Sequence, residues 1–416
     1  MSTRIQQLED AVDARRSERQ LPGQPASNLL PAAARWSEAV WRDAEEAGPF
    51  PIEEKERQQG LALARQPVFI CGVHRSGTTL MRDLLDGHSA LSVLPSEGSF
   101  LTELESKLSR LPAANRLRFF GQEWLRRLCN VNFRSPKWLL GKTTADSSPY
   151  VQFARRLMAW WRISQRSVAA QHTLWPMMAL ALAYSQESRP QGAGFPLLRW
   201  VEKTPTNEFH LTRLGSEFPA AKFIHVVRNP VAVYASRKRI DQRNSGSFLS
   251  ARRTLQDLAK SMHIATEQSR RLGYLVIQYE QLLARPQFTM EGLARFLEID
   301  SESSLLRPTI ANISVAPNSS FRTNQEPGRI LPENTNHQEN GLTSKEEELI
   351  VAYTGRYANR LGYSLPRLTA SRKGIRLGQF HLGRLFDLVR FRGESGVLRR
   401  LASKRRQAVS NFGNPS

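Results

Sequence analysis

Residues 69–86, FICGVHRSGTTLMRDLLD, join an apolar stretch to a helical one through a glycine-rich turn. PVFICG (67–72) has the composition of a short buried strand. TTLMRDLLDG (78–87) predicts a helix that stops at Gly87. The glycines of the turn let backbone amides point inward, and the helix N-terminus adds partial positive charge. The segment therefore predicts an anion-binding loop, and a glycine turn without a ligand is the alternative.

The loop differs from a nucleoside triphosphatase loop in its cation. A Walker A loop has Lys directly after its second glycine, but here Thr78 takes that position and the positive charge comes from Arg75. No Asp stands at the end of the apolar stretches LVIQYE or KFIHVVR, where magnesium would need a ligand. The loop thus predicts a site for a phosphate-like group without triphosphate chemistry.

Further apolar stretches alternate with helical ones along the chain. Strands are predicted at 67–72, 198–203, 221–228 and 272–280, each followed by a helix. This alternation is typical of an α/β protein with a central, mainly parallel sheet flanked by helices in three layers, a P-loop-like fold. We expect a helical N-terminal extension (1–66), a main domain (67–365) with a helical insertion at about 100–197, and a basic tail (366–416).

Charge and cysteine content bound the environment and the partners. The chain of 416 residues has a net charge of +21, and twelve Lys or Arg face two acids from residue 367 onward. Such a tail indicates contact with an anionic membrane or a polyanion, and a solvated arm without a partner is the alternative. Two cysteines, Cys71 and Cys129, make neither a disulfide framework nor a zinc site. The polar start and the short apolar run at 175–184 predict a cytoplasmic protein.

A second anion site is indicated by FIHVVRNPVAVYASRKR (223–239). Arg228 ends the predicted strand and Ser236 follows eight residues later in a helix, so the two could bracket one anion. A helix start with solvated basic residues is the alternative. Two separated anion sites suit a nucleotide with phosphates at both ends.

The stretch HRSGTTLMRDLLDGH resembles the phosphosulfate loop of sulfotransferases that use 3′-phosphoadenosine 5′-phosphosulfate (PAPS). It is most similar to the bacterial and protein-tyrosine branch, which has Arg where cytosolic enzymes have Lys. The resemblance covers roughly residues 67–365. It implies that the 5′-phosphosulfate is held by Arg75, Ser76, Gly77, Thr78 and Thr79, and the 3′-phosphate by Arg228 and Ser236. It also implies that Tyr279 of YLVIQYEQLLARP lies near the nucleotide, and that Ser320 and Arg322 make contacts from a closing loop.

The resemblance also implies catalytic groups. Glu97 in VLPSEGSF matches the glutamate base of the protein-tyrosine branch after a one-residue shift. His88 is the alternative base, although after Gly87 it could equally bind helix-terminal carbonyls. Lys203 in WVEKTPTN would place a cation on the leaving phosphate, with a salt bridge to Glu202 as the competing interpretation. Arg75 is the third catalytic candidate, and no metal is implied.

These features favour an enzyme that moves a sulfuryl group to an acceptor hydroxyl. A carbohydrate or other small hydroxyl compound is the favoured acceptor, and glycolipid, phenol and peptide stay open. One alternative is a P-loop-like kinase or NTPase with an altered loop. Another is a non-catalytic polyanion-binding protein, which the net charge of +21 suggests, although no specific nucleic-acid binding is expected.

Overall fold

A computed structural model describes residues 29–129, 138–140, 147–170, 172–188, 197–245, 247–248, 250–315, 327–330, 341–366, 368–371 and 374. It divides the chain into two units, one of residues 1–228 and 263–338, the other of residues 229–262 and 339–416. The predicted contacts of Ser320 and Arg322, and nearly all of the predicted basic tail, lie outside the described residues. The division into extension, main domain and tail stays a prediction.

The first unit is built on a parallel sheet of five strands in the order β2-β3-β1-β4-β5. The strands are β1 (Pro67–Cys71), β2 (Leu91–Glu97), β3 (Arg199–Lys203), β4 (Lys222–Val227) and β5 (Tyr274–Gln278). The four predicted strands are confirmed. The sequence did not predict β2, whose Pro95 and serines read as a loop, and Pro is tolerated there because β2 is an edge strand.

Helices cover both faces of this sheet, which confirms the predicted three layers. The bounds of the helices are α1 (Leu29–Ala47), α2 (Glu54–Ala64), α3 (Thr78–Leu85), α4 (Glu105–Ser109), α5 (Ala113–Leu128), α6 (Ser148–Ser167), α7 (Trp175–Glu187), α8 (Leu211–Glu217), α11 (Tyr279–Ala284) and α12 (Pro286–Leu297). A π-helical turn spans Phe100–Leu104, and 3-10 turns span Asn207–His210 and Ser303–Leu306. A small antiparallel hairpin pairs β6 (Thr309–Ile310) with β7 (Ile313–Ser314).

The core divides along the two faces of the sheet because successive strand residues point to opposite sides. On one face Phe69 packs against Trp200 and Phe223, with ring centroids 5.8 and 5.6 Å away, under the helices of the predicted extension and insertion. On the other face Ile70 and Val201 belong to a second cluster, together with side chains of α3 and α12. Burial of these apolar side chains is the main source of stability for the sheet.

The second unit contains α9 (Pro230–Ser245), the beginning of α10 (Ala251–Gln268, which has residues in both units) and α13 (Ser344–Arg360). Thr343 caps α13 and exchanges hydrogen bonds with Glu346 in a capping box. Lys238 of α9 donates to Glu346 over 2.8 Å, which ties α9 to the start of α13. Within the described part of the chain, no helix is both long and apolar enough to cross a membrane.

Candidate active site

The phosphate loop, residues 72–77, connects β1 to α3 at the carboxyl edge of the sheet. Gly72 and Gly77 have φ of 130° and 106°, a region that favours glycine. A Cβ on Gly72 would lie 2.5 Å from the carbonyl oxygen of Val226, and one on Gly77 would overlap the Tyr279 ring. Arg75 also has a positive φ, 77°, a costly conformation for a non-glycine residue that is found most often at functional sites. The loop therefore has a tight, specific backbone shape.

Ser76 stabilises the turn of the phosphate loop from inside. Its side chain is buried, and its N–H and hydroxyl both donate to the carbonyl of Val73, over 3.2 and 2.8 Å. Thr78 begins α3 and is also buried. The predicted phosphosulfate residues are thus contiguous at the N-terminus of a helix, a position suited to an anion.

A buried acid, which the sequence analysis missed, fixes the entry to this loop. The carboxylate of Glu208 accepts a hydrogen bond from the N–H of Gly72 over 2.8 Å. His225 lies 3.9 Å from the same carboxylate and shares a 2.7 Å hydrogen bond with the hydroxyl of Tyr274. Burial lowers the pKa of His225, although Glu208 opposes this effect. His225 is therefore a buried core residue that lies beside the acid bonded to Gly72.

Four of the predicted nucleotide residues meet on one side of the loop. The ring of Tyr279 packs directly on Gly77, and the guanidinium of Arg228 stands 4.4 Å from the centroid of that ring. Arg228 also donates to the carbonyl of Arg75 over 3.1 Å. Burial raises the pKa of Tyr279, with Arg228 and Arg75 acting in the opposite direction. Ser236, the other predicted phosphate residue, is buried in α9 of the second unit.

Glu97 and Lys203 form an ion pair at the same edge of the sheet. They are register partners at the ends of β2 and β3, and the Lys203 ammonium lies 2.6 Å from the Glu97 carboxylate. Lys203 is buried, whereas 41% of the Glu97 side chain is exposed. Burial lowers the pKa of Lys203, and the pair with Glu97 opposes it. Burial raises the pKa of Glu97, but Lys203 and nearby cations outweigh it and leave that pKa below its ordinary value.

Glu202 is not the partner of Lys203, because neighbouring strand residues face opposite sides of the sheet. Its buried carboxylate accepts hydrogen bonds from the N–H of Gly98 (2.9 Å), the amide of Asn207 (2.7 Å) and the hydroxyl of Thr204. Burial raises the pKa of Glu202, and these donors oppose it. The salt bridge considered from the sequence is therefore wrong, and Glu202 instead holds the chain that follows Glu97.

Arg82 and Asp83 on α3 add a second buried charge pair, which the sequence analysis did not single out. The Arg82 guanidinium donates to Asp83 over 2.8 Å and to the carbonyl of Pro95 over 2.8 Å. Burial raises the pKa of Asp83 to about 6, with Arg82 opposing the increase. The pair links the helix after the phosphate loop to the end of β2.

The exit segment, residues 95–99, is held by side chains in place of a regular strand ladder. The register between β2 and β3 shifts between Val93 and Glu97. The carbonyl of Glu97 accepts from Arg127, and the N–H of Ser99 donates to the hydroxyl of Thr204 over 2.8 Å. Together with the bonds from Arg82 and Glu202, these contacts fix the backbone that carries Glu97.

His88 lies in the turn between the end of α3 and the start of β2, and therefore at the end of the sheet opposite the carboxyl edge. Its Nδ1 accepts from the N–H of Ala90 over 3.0 Å, and its Nε2 lies 2.9 Å from the carbonyl of Asp300. Six steps of β2 at about 3.3 Å each put roughly 20 Å between that end of the sheet and Glu97. Both ring nitrogens of His88 therefore contact the backbone, far from the Glu97 carboxylate.

The assembled site combines an anion loop, several cations and one accessible carboxylate. The cations at this edge include Arg75, Arg82, Lys203 and Arg228. Among the residues that the structure describes, no group of three or more His, Cys, Asp or Glu is placed to hold a metal ion. The arrangement can bind an anionic group, stabilise developing negative charge and accept a proton.

One of the comparisons with known proteins shows the family to which the chain belongs. A sequence model of the sulfotransferase family matches residues 67–303, more than half of the chain. The sulfotransferase domain from the curacin biosynthetic pathway is 22% identical with a TM-score of 0.45, covering 72% of this chain and 99% of that one. The sulfotransferase domain of the Synechococcus PCC 7002 olefin synthase is 20% identical with a TM-score of 0.41, covering 72% of this chain and 96% of that one. Sulfotransferase STF9 from Mycobacterium avium is 14% identical with a TM-score of 0.39, covering 79% of this chain and 97% of that one. The comparison with curated proteins gave no match.

Proposed function

The chain belongs to the sulfotransferase family, and on that premise we propose that it transfers a sulfuryl group from PAPS to an acceptor hydroxyl. The observation that carries this proposal is the ion pair of Glu97 and Lys203. It lies at the carboxyl edge of the sheet, where the phosphate loop leads into α3. It puts a proton acceptor and a buried cation beside an anion-binding loop. These are the groups that in-line transfer to a hydroxyl requires.

The residues at the carboxyl edge fit a donor that has anionic groups at both ends. Gly72 and Gly77, at the two ends of the loop, both have a positive φ that favours glycine. The N-terminus of α3 favours an anion. We assign the 5′-phosphosulfate to Arg75, Ser76, Gly77, Thr78 and Thr79. We assign the 3′-phosphate to Arg228 and contact with the nucleotide to Tyr279, and the part of Ser236 in the 3′-phosphate site stays a prediction from the sequence. The missing lysine after Gly77 argues against a nucleoside triphosphate.

The side chains divide the chemical work. Glu97 accepts the proton of the acceptor hydroxyl, and its lowered pKa keeps it ionised at neutral pH. Its 41% exposure lets an acceptor reach it. Lys203 stabilises the negative charge that appears on the bridging oxygen when the bond from sulfur to phosphate breaks. When bound, PAPS supplies the sulfuryl group, which forms its new bond to the acceptor oxygen.

The acceptor is proposed only by class. Membership of the family implies a hydroxyl-bearing acceptor, and a carbohydrate or other small hydroxyl compound is favoured, with glycolipid, phenol and peptide open. Contact of the basic tail with an anionic membrane, and a cytoplasmic location, stay predictions from the sequence.

Turnover of PAPS by the wild type and by two site variants tests this function. We expect release of adenosine 3′,5′-bisphosphate with a monosaccharide or a phenol as acceptor probe. Lys203→Met should lower kcat about 100-fold or more, and Glu97→Gln about 100-fold, because each removes a group used in the transition state. Glu97→Gln should also lower the melting temperature more than Lys203→Met, because it leaves a buried ammonium without its partner.

The control is Lys107→Met, which removes an exposed lysine paired with Glu103. It should leave both turnover and melting temperature unchanged. Wild-type turnover in Lys203→Met would contradict the assigned role. Turnover of ATP with magnesium in place of PAPS would support the kinase alternative.

A further inference from the structure

Arg127 reaches from α5, in the helical insertion, to the backbone that carries Glu97. Its Nη1 donates to the carbonyl of Glu97 over 2.5 Å and lies 3.2 Å from the carbonyl of Gly98. Only 13% of the Arg127 side chain is exposed. Its remaining nitrogens face Glu123 at 3.3 Å and Glu103 at 3.6 Å. The guanidinium is thus held on both sides and oriented toward the exit segment.

The exit segment depends on such contacts because the strand ladder is interrupted before it and reaches it at Glu97, which pairs with Lys203. β2 is an edge strand, and its register with β3 shifts just before Glu97. The N–H groups of Gly98 and Ser99 are taken by Glu202 and Thr204, which leaves the carbonyls to Arg127. Nη1 of Arg127 carries two N–H groups, so this one nitrogen can donate to both carbonyl oxygens.

We propose that Arg127 is a positioning residue for sulfuryl transfer, acting through Glu97. By holding the carbonyls of Glu97 and Gly98 it sets the Glu97 carboxylate against Lys203, and it ties the base to the helical insertion. This inference rests on the proposed function, in which Glu97 accepts the proton. It assigns Arg127 no contact with the donor.

Arg126 supplies a matched control on the same helix. It is the neighbouring arginine and donates to the same acid, Glu123, over 2.6 Å. Its contacts in the described structure do not include the exit segment. Arg126→Met and Arg127→Met therefore remove equal charge and similar bulk, but only the second removes the bonds to the carbonyls of Glu97 and Gly98.

The kinetic test compares these variants in the wild-type and Glu97→Gln backgrounds, with PAPS and a monosaccharide or phenol as acceptor probe. We expect Arg127→Met to lower kcat about 30-fold with little change in the KM for PAPS, since small misplacement of a reacting group can cost about 100-fold. Arg127→Lys should recover part of that loss because it keeps the charge and one donor nitrogen. In the Glu97→Gln background, Arg127→Met should cost about twofold or less, because the two residues act as one unit.

A second readout does not depend on activity. Hydrogen exchange of the peptide covering residues 91–104 should be faster in Arg127→Met than in the wild type or Arg126→Met. Unchanged exchange would overturn the proposal. If Arg127→Met folded poorly, Arg127→Lys would be measured in its place. Losses that multiply in the double variant, or an equal loss in Arg126→Met, would also overturn it. Absence of PAPS turnover in the folded wild type would count against the proposed function, while the exchange result would still test the hold of Arg127 on the segment.

Discussion

The phosphate loop and the exit segment lie at the same edge of the sheet, but they are held in place by different means. Residues 72–77 take their shape mainly from glycine conformations and from the strand and helix on either side, with added contacts from Glu208 and Arg228. Residues 95–99 take theirs from side chains that come from α3, α5 and the end of β3. The first region should be sensitive to changes within itself. The second should be sensitive to changes elsewhere in the chain.

The largest expected effect comes from a methyl group in the phosphate loop. Gly77→Ala puts a Cβ into the Tyr279 ring at a residue with φ of 106°. Overpacking and backbone strain together should cost about 2–4 kcal/mol and abolish binding of adenosine 3′,5′-bisphosphate. Melting temperature and titration calorimetry measure the two losses.

The control for this prediction is Gly48→Ala. Gly48 also has a positive φ, 72°, but a Cβ there would meet no atom within 4 Å. It should cost about 1 kcal/mol from strain alone and leave binding intact. If both variants behaved alike, packing of Tyr279 on the loop would not explain the need for glycine.

A smaller effect, on pH dependence, tests the remote support of the exit segment. The pKa of Asp83 is raised to about 6 in the folded chain from an ordinary 3.8, so between these values the folded state binds more protons than the unfolded state. Its contribution to stability is therefore lost as pH rises from about 4 to about 6, at up to about 1.4 kcal/mol for each pH unit between the two pKa values. Asp83→Asn removes this titration, so the stability of the wild type relative to the variant should fall across that range.

Denaturant unfolding of both proteins at several pH values measures this difference. A stability difference that stayed constant from about pH 4 to about pH 6.5 would show that Asp83 is not titrating as its burial requires.

The same contrast explains what could be predicted from the sequence. The phosphate loop is a local pattern, and the strands now called β1, β3, β4 and β5 were predicted because each is a short apolar run before a helix. β2 was missed because Pro95 and its serines interrupt the apolar pattern. Without β2 the register that pairs Glu97 with Lys203 could not be derived. Arg127 lies 30 residues from Glu97, and no local spacing indicates that contact.

The most direct test of the central claim is titration calorimetry with adenosine 3′,5′-bisphosphate in the absence of magnesium, on wild type, Arg75→Ala and Arg228→Ala. We predict micromolar binding to the wild type. Each substitution should weaken it about 10- to 100-fold, because a charge-assisted contact contributes about 1.5–3 kcal/mol. The matched control Arg126→Ala should bind like the wild type. No binding by folded wild type, or equal binding by all four proteins, would contradict the assignment of the phosphate loop and Arg228 to the donor nucleotide.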